Sequence, residues 1–225
     1  MTARTAAVIP ALNEAGSIRR VVEGLRGTVD HVIVVDDGST DSTAACAHAA
    51  GAEVIVHAAN LGKGHAVRTG LARAFEGEFT HVLLLDADMQ HLPEEAATLI
   101  DRAVRGGADV VLGQRRFERD RMPPSRYHAN RIGSRVLSWF VGMPLDDTQC
   151  GFRVFRVDAL RPLRLNATKY EIETEMLIKV RRRGGRVETA PVTAVYAGQQ
   201  SKLRPVPDTT RTCFLAVYYR FLERL

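Results

Sequence analysis

His81-Val-Leu-Leu-Leu-Asp-Ala-Asp-Met-Gln90 is the stretch on which the fold turns. Four apolar residues follow His81, and the chain then runs directly into two acids, Asp86 and Asp88. A short apolar run bounded by polar residues reads as a strand buried on both faces, as in a parallel sheet covered by helices. Residues two apart in extended chain project to the same side, so both carboxylates leave the strand together. Two anions held side by side repel unless a cation or hydrogen-bond donors compensate them. A divalent ion, Mg2+ or Mn2+, prefers oxygen ligands and accepts part of its shell from substrate phosphate. Gln90, two residues on, would add a neutral oxygen. Taken alone, an Asp-x-Asp more often just carries a strand out to water. That bland explanation weakens here, because two other strand exits also end in acids.

Outward from this stretch, strand and helix alternate. Ala6-Ala-Val-Ile9 is a strand that exits into Pro10-Ala-Leu-Asn-Glu14, and Ile18, Val21, Val22 and Leu25 follow with helical spacing. Val32-Ile-Val-Val35 is a second strand, exiting into Asp36-Asp-Gly-Ser-Thr-Asp41. Thr40-Asp41 is expected to cap a helix that ends at Gly51. A strand over Glu53 to His57 and a helix over Gly64 to Phe75 come next. Beyond Gln90, Pro93-Glu94-Glu95 opens a helix that stops at Gly106-Gly107, and Asp109 to Leu112 is a fifth strand. This alternation predicts an α/β protein with one open, doubly wound, mostly parallel sheet flanked by helices. Ligands in such sheets sit beyond the carboxyl ends of the strands, where the acids are.

Capping accounts for Asp41 and Ser39 but leaves the adjacent pair Asp36-Asp37 unexplained; carboxylates there suit the donors of a nucleobase or ribose. Asn60-Leu-Gly-Lys-Gly64 lacks the spacing of a P-loop, yet it places Lys63 at a helix start, where a phosphate would sit.

The second half is less regular. Ile132, Val136, Trp139 and Phe140 suggest an amphipathic helix, and Glu171 to Arg182 another with Ile172, Met176 and Val180 inward. Glu173 and Glu175 read as ordinary helix ion pairs, and His65 and His91 as supporting or surface residues. Val187 to Val195 reads as a strand interrupted or edged at Pro191, and Asp208 to Leu225 as an amphipathic tail helix. With 225 residues, one elaborated domain is expected, with the regular strand–helix half over 1–112, a less regular half over 113–195, and a loop with an amphipathic tail helix over 196–225.

Composition narrows the partners. Residues are 45% hydrophobic and 25% charged, as in an ordinary globule. The net charge of +5 resides wholly in residues 113–135, where seven arginines face Glu118 and Asp120. One compact basic segment implies a compact anion, a phosphorylated ligand or an anionic membrane surface, rather than nucleic acid. The longest uncharged apolar stretch near either end, Cys213 to Tyr219, is far short of the roughly 20 residues a membrane span needs, so no anchor is expected. Three widely spaced cysteines read as reduced thiols, placing the chain in the cytoplasm, peripheral to the membrane's inner face if its anionic partner is a lipid.

Taken in order, Pro10-Ala-Leu-Asn-Glu14, Val34-Val-Asp-Asp-Gly-Ser-Thr-Asp41, Asn60-x-Gly-Lys-Gly64, Asp86-Ala-Asp-x-Gln90 and Asp147-Thr-Gln-Cys-Gly-Phe-Arg153 resemble glycosyltransferase family 2, nearest to the dolichyl- or polyprenyl-phosphate mannose or glucose synthases. The resemblance implies a GT-A fold, a nucleotide-diphosphate sugar donor (UDP-glucose or GDP-mannose type), a divalent metal and inverting transfer of one hexose. It implies that Pro10, Asn13, Glu14 and Asp37 contact the nucleoside, and that Lys63, with Ser201 and Lys202 of the closing segment, lies near the diphosphate. Asp86, Asp88 and Gln90 would hold metal and diphosphate. Arg115, Arg126 and Asn130 (Asn where the subgroup has Ser) would bind the acceptor phosphate, and Asp147 would be the base for a hydroxyl acceptor. A phosphate monoester is already anionic, so its transfer needs orientation more than a general base. Two alternatives stand beside this reading: the same transferase chemistry on a soluble sugar, phosphosugar or natural product, and a non-enzymatic anion or nucleic-acid binding module. Oligomeric state is left open.

Overall fold

The structure, a computed structural model, describes residues 3–115, 134–139, 142, 144–145, 147, 150–195 and 218–219. Arg126, Asn130, Phe140, Ser201, Lys202 and nearly all of the expected tail helix lie outside the described residues.

Strand β1 (Thr5–Ala11), helix α1 (Ile18–Gly24), β2 (His31–Asp36), α2 (Thr43–Ala49), β3 (Glu53–Val56), α3 (Lys63–Glu76) and β4 (His81–Leu84) succeed one another as the apolar periodicity predicts. A 3-10 turn at Pro93–Glu95 leads into α4 (Ala96–Gly106), and β5 (Val110–Arg115) follows. Residues 134–139 are helical (α5). Then come β6 (Arg153–Arg156), α6 (Val157–Leu160), α7 (Ile172–Arg182) and β7 (Val187–Val192). The sheet order is β3-β2-β1-β4-β6-β5-β7. β1 pairs parallel with β2 and β4, β2 with β3, and β5 with β7. Thus the carboxyl ends of β1, β2 and β4 share one edge.

Alternate residues of β1 serve two cores. Ala7, Ile9 and Ala11 pack with α1, α2 and α4 on one face, while Ala6 and Val8 pack with α3 and α7 on the other. Burial on both faces is why these strands read as unbroken apolar runs.

One strand escaped the sequence reading. β6 lies antiparallel between β4 and β5, whereas the expectation ended a family motif at Arg153 and assigned no strand. A four-residue segment with an arginine at each end carries little apolar signal. Arg153 nevertheless sits 1% exposed, because its Nε donates to the Cys150 carbonyl (2.8 Å) and its Nη1 to the Glu173 carbonyl (2.8 Å). β7 ends at Val192 rather than Val195 and lies at the sheet edge, where Pro191 is tolerated. Among the described residues no helix is long and apolar enough to cross a membrane.

Candidate active site

The loops leaving β1 and β2 are stitched together. Asn13 takes a positive φ of 53°, sparsely populated for a non-glycine residue but tolerated by Asn. Its N–H donates to Ser39 Oγ (2.8 Å), and its Oδ1 accepts the Thr40 N–H (2.8 Å). The Glu14 N–H donates to Thr43 Oγ1 (2.8 Å), and the Ala15 N–H to Asp41 Oδ2 (3.1 Å). Asp41 also accepts the Thr43 N–H (3.0 Å), so it caps α2 from the residue before the N-cap, Ser42, one place from where it was expected. These bonds hold Pro10, Asn13 and Glu14 beside the Asp36-Asp37 turn at the parallel edge.

Asp37 is 3% exposed, and its carboxylate is turned toward the chain rather than outward. Oδ2 accepts the Gly62 N–H (2.8 Å); Oδ1 accepts the Leu61 N–H (3.0 Å) and lies 2.7 Å from His57 Nδ1. Asp37 therefore fixes the Asn60–Gly64 turn, and Asp36 closes its own turn by accepting the Ser39 N–H (2.8 Å).

That turn aims Lys63. Its Nζ lies 2.6 Å from Asp86 Oδ1 and 2.6 Å from Glu173 Oε1. Arg153 Nη2 approaches the other Glu173 oxygen at 3.4 Å. Burial alone would push the Lys63 ammonium down, but Asp86 and Glu173 outweigh it and hold the charge well above the usual lysine range. Burial likewise opposes ionisation of Asp86, and Lys63 reverses it, holding the carboxyl below the ordinary value. The Asp86 side chain also rests against Gly151, where an added Cβ would come within 2.3 Å of Oδ2. Gly151 is thus required by close approach.

Asp88 behaves oppositely. Burial, and next the neighbouring Asp86 charge, push its carboxyl up to about 6. Its Oδ1 accepts the Gln90 N–H (3.0 Å), and Met89 between them has a positive φ of 59°, which turns the chain sharply after the acids. Among the described residues no group of three or more His, Cys, Asp or Glu is gathered around one point. The donor set still fits a hard divalent cation. Asp88 carries oxygen donors and a charge crowded by Asp86, the situation a cation relieves, and phosphate oxygens of a ligand would complete the shell.

This shift has a pH consequence. An acid raised in the fold stays protonated while its unfolded counterpart ionises, so its favourable contribution is intact below about 4 and is lost as pH rises to about 6. Mn2+ together with UDP or GDP, if held at Asp88, would take the ionised form. Thermal stabilisation by that pair should therefore be strong at pH 7.5 and fall away below about 6, as melting curves across pH would show; stabilisation unchanged at pH 5 would contradict the assignment.

On the far side of β4, Arg115 and Asp147 form a two-pronged ion pair: Nε to Oδ2 at 2.5 Å and Nη2 to Oδ1 at 2.9 Å. Burial pushes the Asp147 carboxyl up, but the Arg115 guanidinium prevails and holds it below its ordinary range. His91, lowered by burial and then by Arg115, is a neutral imidazole packed 3.5 Å from Cys150 Sγ. The Cys150 thiol, pushed up to about 12 by burial and then by Asp147, is inert.

The structure thus joins the Asp36-Asp37, Lys63 and Asp86-Asp88 loops at one edge, with Arg115 and Asp147 together nearby. Sequence reasoning undervalued Glu173. Rather than an ordinary helix ion pair, it is a buried partner of Lys63 and Arg153, and its signal was an acid set between Ile172 and the apolar Met176, Leu177 and Ile178. Gly151 carried no signal beyond its place in Cys150-Gly-Phe.

Comparison with known proteins follows the same lines. A family model described as "Glycosyl transferase family 2" matches residues 6–164. The chain is 32% identical over 94% of its length to "Glycosyltransferase AglJ" of Haloferax volcanii, covering 70% of that protein. It is 33% identical over 85% of its length to "Undecaprenyl-phosphate mannosyltransferase" of Micrococcus luteus, covering 84% of it. The solved glucosyl-3-phosphoglycerate synthase of Mycobacterium tuberculosis, in complex with Mn2+ and UDP-glucose, superposes with a TM-score of 0.75 at 25% identity, over 97% of this chain and 79% of that one.

Proposed function

Because the chain belongs to glycosyltransferase family 2 and has the GT-A fold of a hexosyltransferase, we propose that it moves one hexose from a nucleoside-diphosphate sugar to the phosphate of a polyprenyl phosphate, with inversion and with a divalent cation held at Asp86 and Asp88. The observation that carries the donor side is the convergence of Asp88, Asp86 and Lys63 at the carboxyl edge of the parallel strands. The name of the Micrococcus luteus relative supports the acceptor.

The residues divide the work by charge. Lys63 holds Asp86 in place and keeps a positive charge at the start of α3, beside the diphosphate's expected position. A bound Mg2+ or Mn2+ would offset charge growing on the departing nucleotide. Asp37 and Asn13 shape the nucleoside side by fixing their loops. Asp147 fixes the plane of the Arg115 guanidinium, a geometry suited to two phosphate oxygens. A carboxyl held below its ordinary range is a poor base at neutral pH, which favours an acceptor that arrives already anionic. The Mycobacterium tuberculosis neighbour is named for a soluble phosphorylated acceptor, which keeps a second reading with such an acceptor in play.

The deciding experiment screens UDP- and GDP-sugars against short polyprenyl phosphates, phosphoglycerate and free sugars. Transfer to the lipid phosphate is expected, and transfer only to a soluble acceptor would replace the proposal with the second reading. Arg115→Lys keeps the charge but loses the fork. It should cost about tenfold or more in acceptor kcat/KM while leaving donor binding nearly unchanged, on the scale of a charged hydrogen bond. Equal loss of both would remove Arg115 from the acceptor side.

A further inference from the structure

Glu175 is 0% exposed on α7, and its carboxylate gathers groups from three separate segments. Its oxygens accept the Asn166 N–H (2.9 and 3.0 Å) and the Ala167 N–H (2.8 Å) from the loop before α7. Lys179 Nζ lies 2.9 Å from the same carboxylate and donates to the Arg164 carbonyl (2.6 Å). From the far end of the chain, the Tyr219 hydroxyl donates to Glu175 Oε1, and the Tyr219 ring stands under the Lys179 ammonium at 4.4 Å. Arg182 adds a bond to the Tyr219 carbonyl, so the tail residue is tied to α7 at both its ends.

The loop that Glu175 holds in turn clamps the Lys63 turn. The Gly64 N–H donates to the Thr168 carbonyl (2.9 Å), and Arg68 donates to the Ala167 carbonyl. The fit leaves no slack: a Cβ on Gly62 would lie 2.5 Å from the Thr168 oxygen, and one on Gly64 would lie 2.4 Å from the Ala167 oxygen. Between those two glycines stands Lys63, gripping Asp86 and Glu173 at 2.6 Å each. Each step is a direct contact, from Tyr219 through Glu175, residues 166–168 and the 62–64 turn to Lys63 and Asp86.

We infer that Tyr219 and Glu175 are positioning residues for the donor site, and that seating Tyr219 on α7 sets how firmly the Lys63 turn is held. Tyr219 thereby controls nucleoside-diphosphate affinity from a distance, without itself touching the nucleotide. The physical reason is that Glu175 has two oxygens serving four donor groups. Removing the Tyr219 hydroxyl loosens the carboxylate, and the Asn166 and Ala167 amides that depend on it loosen with it. The affinity part of this inference rests on the donor reading above; the mechanical part does not.

The test compares wild type, Tyr219→Phe and Glu175→Gln, with Leu99→Ala on α4 as a control that lowers stability from the opposite face of the sheet. Amide hydrogen exchange is followed over residues 59–69, and the Kd for UDP and GDP with Mn2+ is measured by titration. Tyr219→Phe should speed exchange there and raise the Kd by about three- to tenfold, a typical size for coupling through packed contacts, and Glu175→Gln should do so more strongly. Leu99→Ala should lower Tm without moving either readout. Unchanged exchange in Tyr219→Phe, or an equal change in Leu99→Ala, overturns the inference. Faster exchange at 59–69 in a protein that binds neither UDP nor GDP supports the mechanical coupling and sinks the donor reading instead.

Discussion

Asp88→Asn should nearly abolish sugar transfer, by about a thousandfold or more in kcat/KM, the several kcal/mol that a correctly held cation contributes to a developing charge. The substitution keeps shape and volume and removes only the anion. It also relieves repulsion, because Asp86 is one of the groups that push the Asp88 carboxyl up to about 6. The ligand-free variant should therefore melt at the same temperature as wild type or higher at pH 7.5, while losing its stabilisation by Mn2+ with nucleoside diphosphate. Higher stability with lost activity marks a carboxylate kept for function at the expense of the fold. Transfer within tenfold of wild type would show that the cation is held elsewhere.

The second large effect concerns Lys63. Its ammonium stands 2.6 Å from each of two carboxylates, and its side chain is 15% exposed. In Lys63→Met, Asp86 loses its cation; Glu173 keeps only the longer approach of Arg153 at 3.4 Å. Breaking one side of a buried pair costs about 3 kcal/mol or more, because a desolvated charge is left behind. For a chain of this size that corresponds to a fall in Tm of about 6–12 °C. The cause can be separated from lost packing by a second change. Lys63→Met with Asp86→Asn removes the stranded anion and should regain a substantial part of the stability, without regaining activity. No recovery in the double variant would mean that the lysine stem, rather than its charge, supports the site.

These two acids, alike in the sequence, differ in every physical respect once folded. Asp86 and Asp88 leave the same strand, yet one is held below its ordinary range by Lys63 and the other is raised by burial and by the first. The spacing along the chain made them a pair. The asymmetry needed Lys63, which lies on α3 and reaches Asp86 only because the sheet places β2 and β4 on either side of β1. Asp37 shows the same division: the sequence marked it as a carboxylate at a strand exit, and the fold turned it toward the amides of Leu61 and Gly62.

The alternation of apolar runs with helical spacing determined the doubly wound sheet and the edge on which chemistry would be found, since burial on both faces leaves a local and continuous hydrophobic signal. The ordered polar motifs at the strand exits determined the family by the same kind of local record. Tertiary structure alone decided what crosses between distant segments: the antiparallel β6 with its buried Arg153, the Glu173 partner of Lys63, the close seat of Asp86 on Gly151, and the bond from Tyr219 to Glu175. Each of these joins residues far apart in the chain, and in each the energy belongs to the pair. A single acid, glycine or tyrosine bears no trace in its own neighbourhood of the partner that folding will bring to it.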